Sequence, residues 1–558
     1  MALSKEIYAA FEAVVGKNNI SQDPGVLQTY RCKASQSSAH YGPYNHITPM
    51  PQAVILPGST KEVQGVVRLC NKYKIEFKAS TTFWSAHGYI SSDNAVQLDM
   101  RRMKNFTIDP KNMVAQIEPY VIGATLQAEA MKYGLTCNIP GVGCSSSTLA
   151  STSGWTGGGP ISVFAGVNYE NFLCAEWVLP TGDIVYSGTA GAGGDWSCGE
   201  GPGPSLRACF KGSTGQTGDF GVCTRISVKL SPWPGPKYLP STGYAPVYLA
   251  DLPENFRAYC ICFPNWDSWA KAVMKINDNY ILYIGHRQFS MFGNKVKGAM
   301  LKIITDQDLQ LCDLPALMED PETDKFNKSI AIEAYIVLAG FTPDDLAWKE
   351  AALDEILKEF GGWKDEWFLE KDHENYLLTY LIRLGHKNLN YVLCGSYEGH
   401  YGLCGHNQVV SASVMEEASA IREKAQQEGT YMAATGGDSM MGSLAGVGGG
   451  GGPMGCEFFM CFDAHDPKSV DECRDFIDNV SRPWSLGKGF GMEMCNITSK
   501  MRLPDAYSYT QEEQNAMYKD IPGANPFVYQ WYMREAFNPN HLCSSYYQTC
   551  DPKAVEKK

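Results

Sequence analysis

The run Ile139-Pro140-Gly141-Val142-Gly143-Cys144-Ser145-Ser146-Ser147-Thr148 carries the reading of this chain, together with Ser151-Thr152-Ser153-Gly154-Trp155-Thr156-Gly157-Gly158-Gly159 just after it. Glycines let backbone N–H groups approach an anion with no Cβ in the way, and small hydroxyl residues add donors. Strand-flanked loops of this kind suit a dinucleotide pyrophosphate. Gly-rich loops alone mostly make turns, so the order of the elements downstream decides. Gly166 and Glu170 lead into a predicted strand, Ala175-Glu176-Trp177-Val178-Leu179. A turn at Pro180-Thr181-Gly182-Asp183 returns the chain through Ile184-Val185-Tyr186. Farther on come Gly212-Ser213, then Gly218-Asp219-Phe220-Gly221-Val222-Cys223-Thr224, then an alternating strand at Ile226, Val228 and Leu230.

In this order the elements resemble the FAD-binding domain of the vanillyl-alcohol oxidase and p-cresol methylhydroxylase superfamily, and most of all its glycolate oxidase and D-lactate dehydrogenase branch. That family has a glycine-rich segment, then Tyr-Gly-x-x-x-Asp-x-Val and Val-Leu-Pro-Asp-Gly. Here Ala165-Gly166, Glu170 and Phe172 stand in those places, followed by Val178-Leu179-Pro180-Thr181-Gly182. The family's Gly-Ser and Gly-x-Leu/Phe-Gly-Ile-Val-Thr elements match Gly212-Ser213 and Gly218 to Thr224. Several ordered elements are far more specific than one glycine run. The resemblance implies an α+β fold: a two-subdomain FAD-binding domain of the p-cresol methylhydroxylase type, and an antiparallel-sheet cap domain with helices on one face. It implies FAD as cofactor. The contacts it implies are Ser80, Thr81, Thr82, Ser85, His87 and Gly88 in a first loop, then Gly141, Ser146, Thr148, Ser151, Gly154, Gly157 and Gly158 in a second. Glu170, Gly218, Gly221 and Val222 complete that set. The family's first loop usually holds several glycines, whereas Thr81 to Gly88 holds hydroxyls, aromatic rings and one glycine. Tyr120 replaces a small residue after Glu118-Pro119, and is either a ring narrowing a flavin-side pocket or a surface ring.

With 558 residues the chain is long enough for two or three domains. Its net charge of −13, and the lack of a polybasic cluster, argue against nucleic acid and lipid surfaces. Met1 to Lys17 reads as a short amphipathic helix without a signal-peptide core, and no run of about 18 apolar residues occurs. The sequence predicts a soluble, cytoplasmic protein. Its 19 cysteines lack iron–sulfur or haem spacing and read as reduced core residues; Cys260 and Cys262 alternate within a strand. No metal site is expected.

Ala53 to Pro57 and Phe77 to Ser80 read as strands, and Val63, Val66, Val67 and Cys70 fall on one helix face between them. Val96 to Met100 is the next strand. A proline cluster at Pro232, Pro234, Pro236 and Pro240 marks a boundary. We divide the chain into an FAD-binding domain (1–236), a substrate-binding cap (237–500) and a segment returning to the FAD domain (501–558). In the cap, Ala258 to Phe263 is a strand and Trp266 to Ile276 a helix. Ile330, Ile332, Ala334, Ile336 and Leu338 alternate as a strand, and Thr342-Pro343 starts a helix with a cap residue and an N1 proline. Gln408 to Ala412 reads as strand, Ser413 to Glu416 as a capping box, Gly442 to Gly455 as an exposed loop and Glu457 to Phe462 as strand. Phe537-Asn538-Pro539-Asn540-His541-Leu542 resembles the family's return to the FAD domain.

Polar groups suited to substrate chemistry are densest between Arg383 and His406. An acid substrate needs a cation for its carboxylate and a base for its hydroxyl proton, which makes Arg383, His400, His406 and Tyr391 the catalytic candidates. The His-x-Gly-Asp-Gly-Asn and Glu-His-Gly motifs that hold a metal in many relatives are absent. His87 and Cys144 raise the question of covalent flavin; noncovalent FAD is expected. The sequence therefore points to oxidation of a small 2-hydroxy acid to the keto acid, with electrons passed to a separate acceptor protein or a diffusible acceptor. Phenolic oxidation and an electron-relay subunit of a larger complex are the alternatives, and a homo-oligomer is compatible with either.

Overall fold

The computed structural model describes residues 2–31, 49–83, 88–139, 144–153, 159–166, 168–201, 220–242, 249–287, 296–306, 308–383, 396–404, 437–439, 454–462, 525–543 and 550–555, with scattered positions in 416–428, 468–480 and 512–519. Helix α1 (Lys5–Val15) is capped by Ser4, whose side chain accepts from the Ile7 N–H. It buries Phe11 and Val15 against the first sheet. That sheet runs β1-β2-β4-β3, from β1 (Ile20–Ser21), β2 (Val54–Ile55), β3 (Glu76–Ser80) and β4 (Ala95–Asp99). β2, β4 and β3 are parallel, so β2 needs a crossover to β3. α2 (Thr60–Tyr73) supplies it, started by the Ser59 cap on Glu62 N–H (3.2 Å). The predicted stripe Val63, Val66, Val67 and Cys70 is fully buried.

The second sheet is antiparallel. It contains β5 (Phe106–Asp109), β6 (Val114–Ile117), β7 (Phe172–Val178), β8 (Ile184–Tyr186) and β9 (Val222–Lys229) in the order β5-β6-β9-β7-β8. Between β6 and β7 the chain makes α3 (Gly123–Met131), α4 (Thr148–Ser153) and α5 (Ser162–Ala165). Ile226 and Val228 are buried as predicted, but so are Thr224 and Ser227 on the other face, so β9 is covered on both sides. Val178 and Val222 share a core with Phe77, Val96 and Leu98, which locks the two sheets together.

The cap sheet is antiparallel, in the order β11-β12-β10-β13, from β10 (Phe256–Cys262), β11 (Ile284–His286), β12 (Glu333–Ala339) and β13 (Trp363–Lys364). Its helices include α6 (Trp266–Asp278), α7 (Lys297–Thr305), α8 (Pro343–Phe360) and α9 (Lys371–Arg383). α8 begins as predicted, with Thr342 Oγ1 accepting from Asp345 N–H at 3.1 Å and Pro343 in its first turn. α6 and α8 cover the face carrying Tyr259, Ile261, Ala334 and Ile336. The opposite face, with Ala258, Cys260, Tyr335 and Val337, packs with Leu377 and Leu381 of α9. The sheet thus gains a helix on its second face. The predicted alternation also starts too early: Ile330 caps the helix Pro321–Ser329, and the strand begins at Glu333. All seven residues of β12 are buried, so apolar alternation registers only one of its faces.

A second cap sheet runs β14-β16-β15, from β14 (Ser396–Cys404), β15 (Gly437–Ser439) and β16 (Met454–Phe462). Met454 and Gly455 are therefore strand rather than loop, because their backbone pairs with Cys404 and Leu403. The strand and capping box expected between Gln408 and Met415 lie outside the described residues. α10 (Asn525–Phe537) brings the tail back: the Phe537 ring lies 5.5 Å from that of Phe220, and Leu542 O accepts from Phe77 N–H at 2.9 Å. Among the described residues no helix is long and apolar enough to cross a membrane.

Inside the cap, Glu333 Oε2 accepts from Lys297 Nζ (2.9 Å) and Arg287 Nη2 (3.2 Å), with all three side chains at most 1% exposed. Arg287 also stacks over Trp266, 4.8 Å from its centroid. Burial alone would raise the Glu333 pKa, yet the two cations hold it below the ordinary glutamate value. Replacing Glu333 by Gln is expected to cost about 3–5 kcal/mol in denaturant unfolding, because it strips the buried cations of this partner. The wild-type contribution is present above the unfolded-state pKa of about 4.3 and is lost as pH falls through the lower folded value. An unfolding midpoint unchanged by Glu333→Gln at neutral pH would contradict this account.

Candidate functional site

The first loop leaves β3 at Ser80 and re-enters the described chain at Gly88. Gln97, fully buried in β4, closes it by donating from Nε2 to Gly88 O and to Lys78 O, each at 3.0 Å. An added Cβ on Gly88 would sit 2.5 Å from Ser80 Oγ, so the one glycine of this loop stands where its ends meet. Thr81 and Thr82 are half-buried beside it. Phe83 is held at φ 53°, the left-handed region a bulky side chain seldom adopts. Its ring packs between Tyr30 (5.4 Å) and Tyr89 (5.1 Å). Tyr30 donates to Asp99 Oδ2 at 2.7 Å, as does Arg101 Nε. Phe83, one of the aromatic residues that replace the family's glycines, is thus packed between rings from outside the loop. Tyr120 is half-buried, its N–H donating to Met103 O.

The second loop meets the first through Ser147, whose N–H donates to Thr82 Oγ1 at 3.4 Å. Ser147 Oγ donates to Pro119 O at 2.6 Å and accepts from Ala150 N–H at 3.0 Å, which fixes the start of α4. Ser146, Thr148 and Ser151 are buried around it. The Ser151 hydroxyl donates to Thr148 O (3.2 Å). Asn138 Nδ2 donates to Ser162 Oγ (2.8 Å) and Gly166 O (3.0 Å), tying the two ends of the glycine run together. A Cβ on Gly159 would collide with the Ile139 carbonyl, so that position is closed to any side chain.

Glu170, Gly221 and Val222 are the remaining described members of the expected set. Gly166 has φ 78° with the Glu170 carboxylate folded against it, and Glu170 itself is exposed. Gly221 has φ 100° and its missing Cβ would strike Val178 O, so the sheet itself demands glycine there; Val222 pairs with Val178. Ser85, His87, Gly141, Gly154, Gly157, Gly158 and Gly218 lie outside the described residues. So do Tyr391 and His406. Arg383 ends α9, and His400 stands in β14 opposite Phe458.

Four buried polar atoms in this cradle have no hydrogen-bond partner among the described residues: Thr148 Oγ1, Asn138 Oδ1, Asn168 Nδ2 and Gln97 Oε1. Such atoms are costly unless something binds them. They offer acceptors and donors together, which suits a dinucleotide with a polar ring system. Ser147, Asn138, Asn168 and Gln97 were not singled out from sequence. Ser147 looks the same as its serine neighbours until the fold shows which N–H reaches Thr82.

A family model described as an FAD binding domain matches residues 51–188. Residues 51–188 are an FAD-binding domain. The 4-cresol dehydrogenase [hydroxylating] flavoprotein subunit of Pseudomonas putida is 29% identical over 241 residues, covering 40% of this chain and 42% of that protein. The mitochondrial D-lactate dehydrogenase [cytochrome] of Arabidopsis thaliana is 27% identical over 192 residues, 33% of this chain and 31% of that one. The matched parts thus span less than half of these relatives. The crystal structure of p-cresol methylhydroxylase with substrate bound matches with TM-score 0.70 and 15% identity, over 98% of this chain and 97% of that chain. The p-cresol methylhydroxylase-type fold and FAD cofactor implied by the motif order therefore hold, and the relatives come from both the phenol and the hydroxy-acid branches.

Thr148→Val tests the cradle with two opposite signs. Apo-protein should keep or slightly gain thermal stability, because an unsatisfied buried hydroxyl is removed. FAD binding should weaken by about 0.5–1.5 kcal/mol, roughly three- to tenfold by fluorescence titration. Unchanged FAD affinity would mean that the Thr148 hydroxyl makes no cofactor contact.

Proposed function

We propose that the chain is an FAD-dependent dehydrogenase or oxidase that converts a small 2-hydroxy acid to its keto acid. The observation that carries the redox reading is the FAD-binding domain over 51–188, with its buried unpartnered polar atoms. Bound flavin supplies hydride acceptance; the residues bind, orient and move one proton. In this reading Arg383 holds the substrate carboxylate with a forked guanidinium. His400 or His406 takes the hydroxyl proton, and Tyr391 completes the lining. The cap (237–500) carries these groups over the FAD-binding domain (1–236), to which 501–558 returns. The D-lactate dehydrogenase relative supports the substrate class.

Electrons leave to a separate acceptor protein or a diffusible acceptor, and the relative named as a flavoprotein subunit supports a protein partner. That same relative favours a second reading, oxidation of a phenolic substrate. Anaerobic stopped-flow reduction by a panel of 2-hydroxy acids and 4-alkylphenols separates the two; reduction by phenols alone would replace the first reading with the second.

If the hydroxy-acid reading holds, Arg383→Ala raises the substrate concentration needed by roughly ten- to hundredfold, as expected for losing a charge-assisted contact of about 1.5–3 kcal/mol. Replacing the base, His400→Ala or His406→Ala, instead slows the limiting reduction rate by about 10²–10⁴. Normal reduction in both histidine variants would remove them from the base role. FAD is expected to stay in the supernatant after acid precipitation; a yellow pellet would show a covalent link.

A further inference from the structure

We infer that Gln127 is a positioning residue, transmitting the seating of the cofactor loop to the end of α9 that delivers the substrate segment; this rests on the role proposed above for residues 383–406. α3 is bonded at both sides of one helical turn. At its start, Gly123 N–H donates to Ser146 O (3.1 Å), Ala124 N–H donates to Cys144 O (2.8 Å), and Ile122 bridges to Ser147. The first N–H groups of a helix have no intrahelical acceptor. Here the cofactor loop supplies the carbonyls. Gly123 allows the approach, since a Cβ there would lie 2.8 Å from Ile139 Cδ1 and 3.4 Å from Cys144 O.

Four residues on, Gln127 Nε2 donates to Ile382 O at 2.9 Å. Gln127 is 2% exposed and Ile382 3%, and 255 residues separate them. An amide facing a carbonyl must present its NH₂, so the donor assignment follows from the partner. Ile382 O belongs to the last turn of α9, whose carbonyls have no intrahelical donor, and Arg383 is the next residue. Elsewhere α9 is held by Leu252 N–H on Asn375 Oδ1 (2.8 Å) and Ala250 N–H on Thr379 Oγ1 (2.7 Å), both from the segment entering the cap. Gln127 therefore caps the end of α9 from the FAD-binding half. About 6 Å of rigid helix connects that cap to the carbonyls of Cys144 and Ser146.

The test uses full-length protein and two readouts. Hydrogen–deuterium exchange compares apo and FAD-loaded forms: in wild type, FAD should slow exchange at the end of α9 at least fivefold. In Gln127→Met, of similar size but without a donor, that slowing should vanish while FAD still binds within threefold of wild type. Equal slowing in both would overturn the inference, whatever the substrate. Anaerobic flavin reduction, with whichever compound reduces wild type, should then be at least tenfold slower in Gln127→Met. Gln127→Glu adds a signature that mere packing would not give. A buried carboxyl is neutral at low pH, where its O–H donates to Ile382 O, and it loses that bond on ionising. Reduction should match wild type at low pH and fall to the Met level as pH rises, a titration absent from both others. A Gln127→Glu rate parallel to wild type at all pH would also overturn it. Slow reduction in Gln127→Met with normal rates in the Arg383, His400 and His406 variants would reject those residues' roles and leave the coupling standing.

Discussion

Ser147 carries the constraint on which the FAD-binding half depends. Its backbone and hydroxyl reach Thr82 in the first loop, Pro119 after β6, Ala150 in α4 and Ile122 at the start of α3. Four segments from both sheets therefore share one buried residue. A loop that must leave its N–H groups open to a ligand cannot use them to hold itself in place. The burden shifts to side-chain hydroxyls, amides and neighbouring carbonyls. Gln97 does this for the first loop, Asn138 for the glycine run and Ser147 for their junction. Small polar residues are dense here for that structural reason.

The cap solves a different problem. A strand buried on both faces has nowhere to put a charged side chain except inside, and β12 begins with Glu333. Its charge is tolerable because Lys297 and Arg287 converge on one oxygen. The same row carries Tyr335, facing Cys260 and His286 across the ladder. Burial, with the Glu333 charge behind it, pushes the Tyr335 hydroxyl well above the ordinary tyrosine pKa, so it stays neutral. Full burial sets this polar row among packed rings such as Phe368, 5.7 Å from Tyr335. It reads as the fixed centre of the cap.

This contrast between local and long-range specification governs how much was legible in the sequence. The helix stripe of α2, the Thr342 cap of α8, the strands β3, β4, β7 and β8 and the return of the tail were readable because each is specified locally, by period, cap residue or turn. β12 was misjudged at its start because both faces are buried and alternation loses its meaning. The second-face helix α9 left no mark on the strands it covers. In the site, Gly88 and Gly221 were readable as glycines, and their structural reason is the Ser80 hydroxyl at one and the Val178 carbonyl at the other, which a Cβ would strike. Ser147, Asn138 and Gln97 were not, since their role lies in who they touch across 24 to 65 residues or across the sheet.

Position matters more than acidity in the chemistry proposed for the seam. In the proposed hydroxy-acid reaction a side chain accepts the hydroxyl proton. An alcohol is a far weaker acid than any histidine conjugate acid, so the proton transfer depends on the base being held at the hydroxyl while the carbon–hydrogen bond is presented to the cofactor. In the proposed arrangement the base and the acceptor must be held to within a few tenths of an ångström, and a misplacement of about 1 Å costs on the order of a hundredfold in rate. The two halves meet through a shared core, and an apolar core sets distance loosely because it is non-directional. Directional bonds across the seam, among them Gln127 to Ile382, Gly285 N–H to Pro160 O at 2.9 Å, Tyr283 Oη to Pro232 O at 2.8 Å and Asn255 Nδ2 to Pro234 O at 3.0 Å, are what can fix the register. The first ends on the helix before Arg383 and the second on the residue after the glycine run, so two of these bonds tie the segments that the proposed chemistry uses.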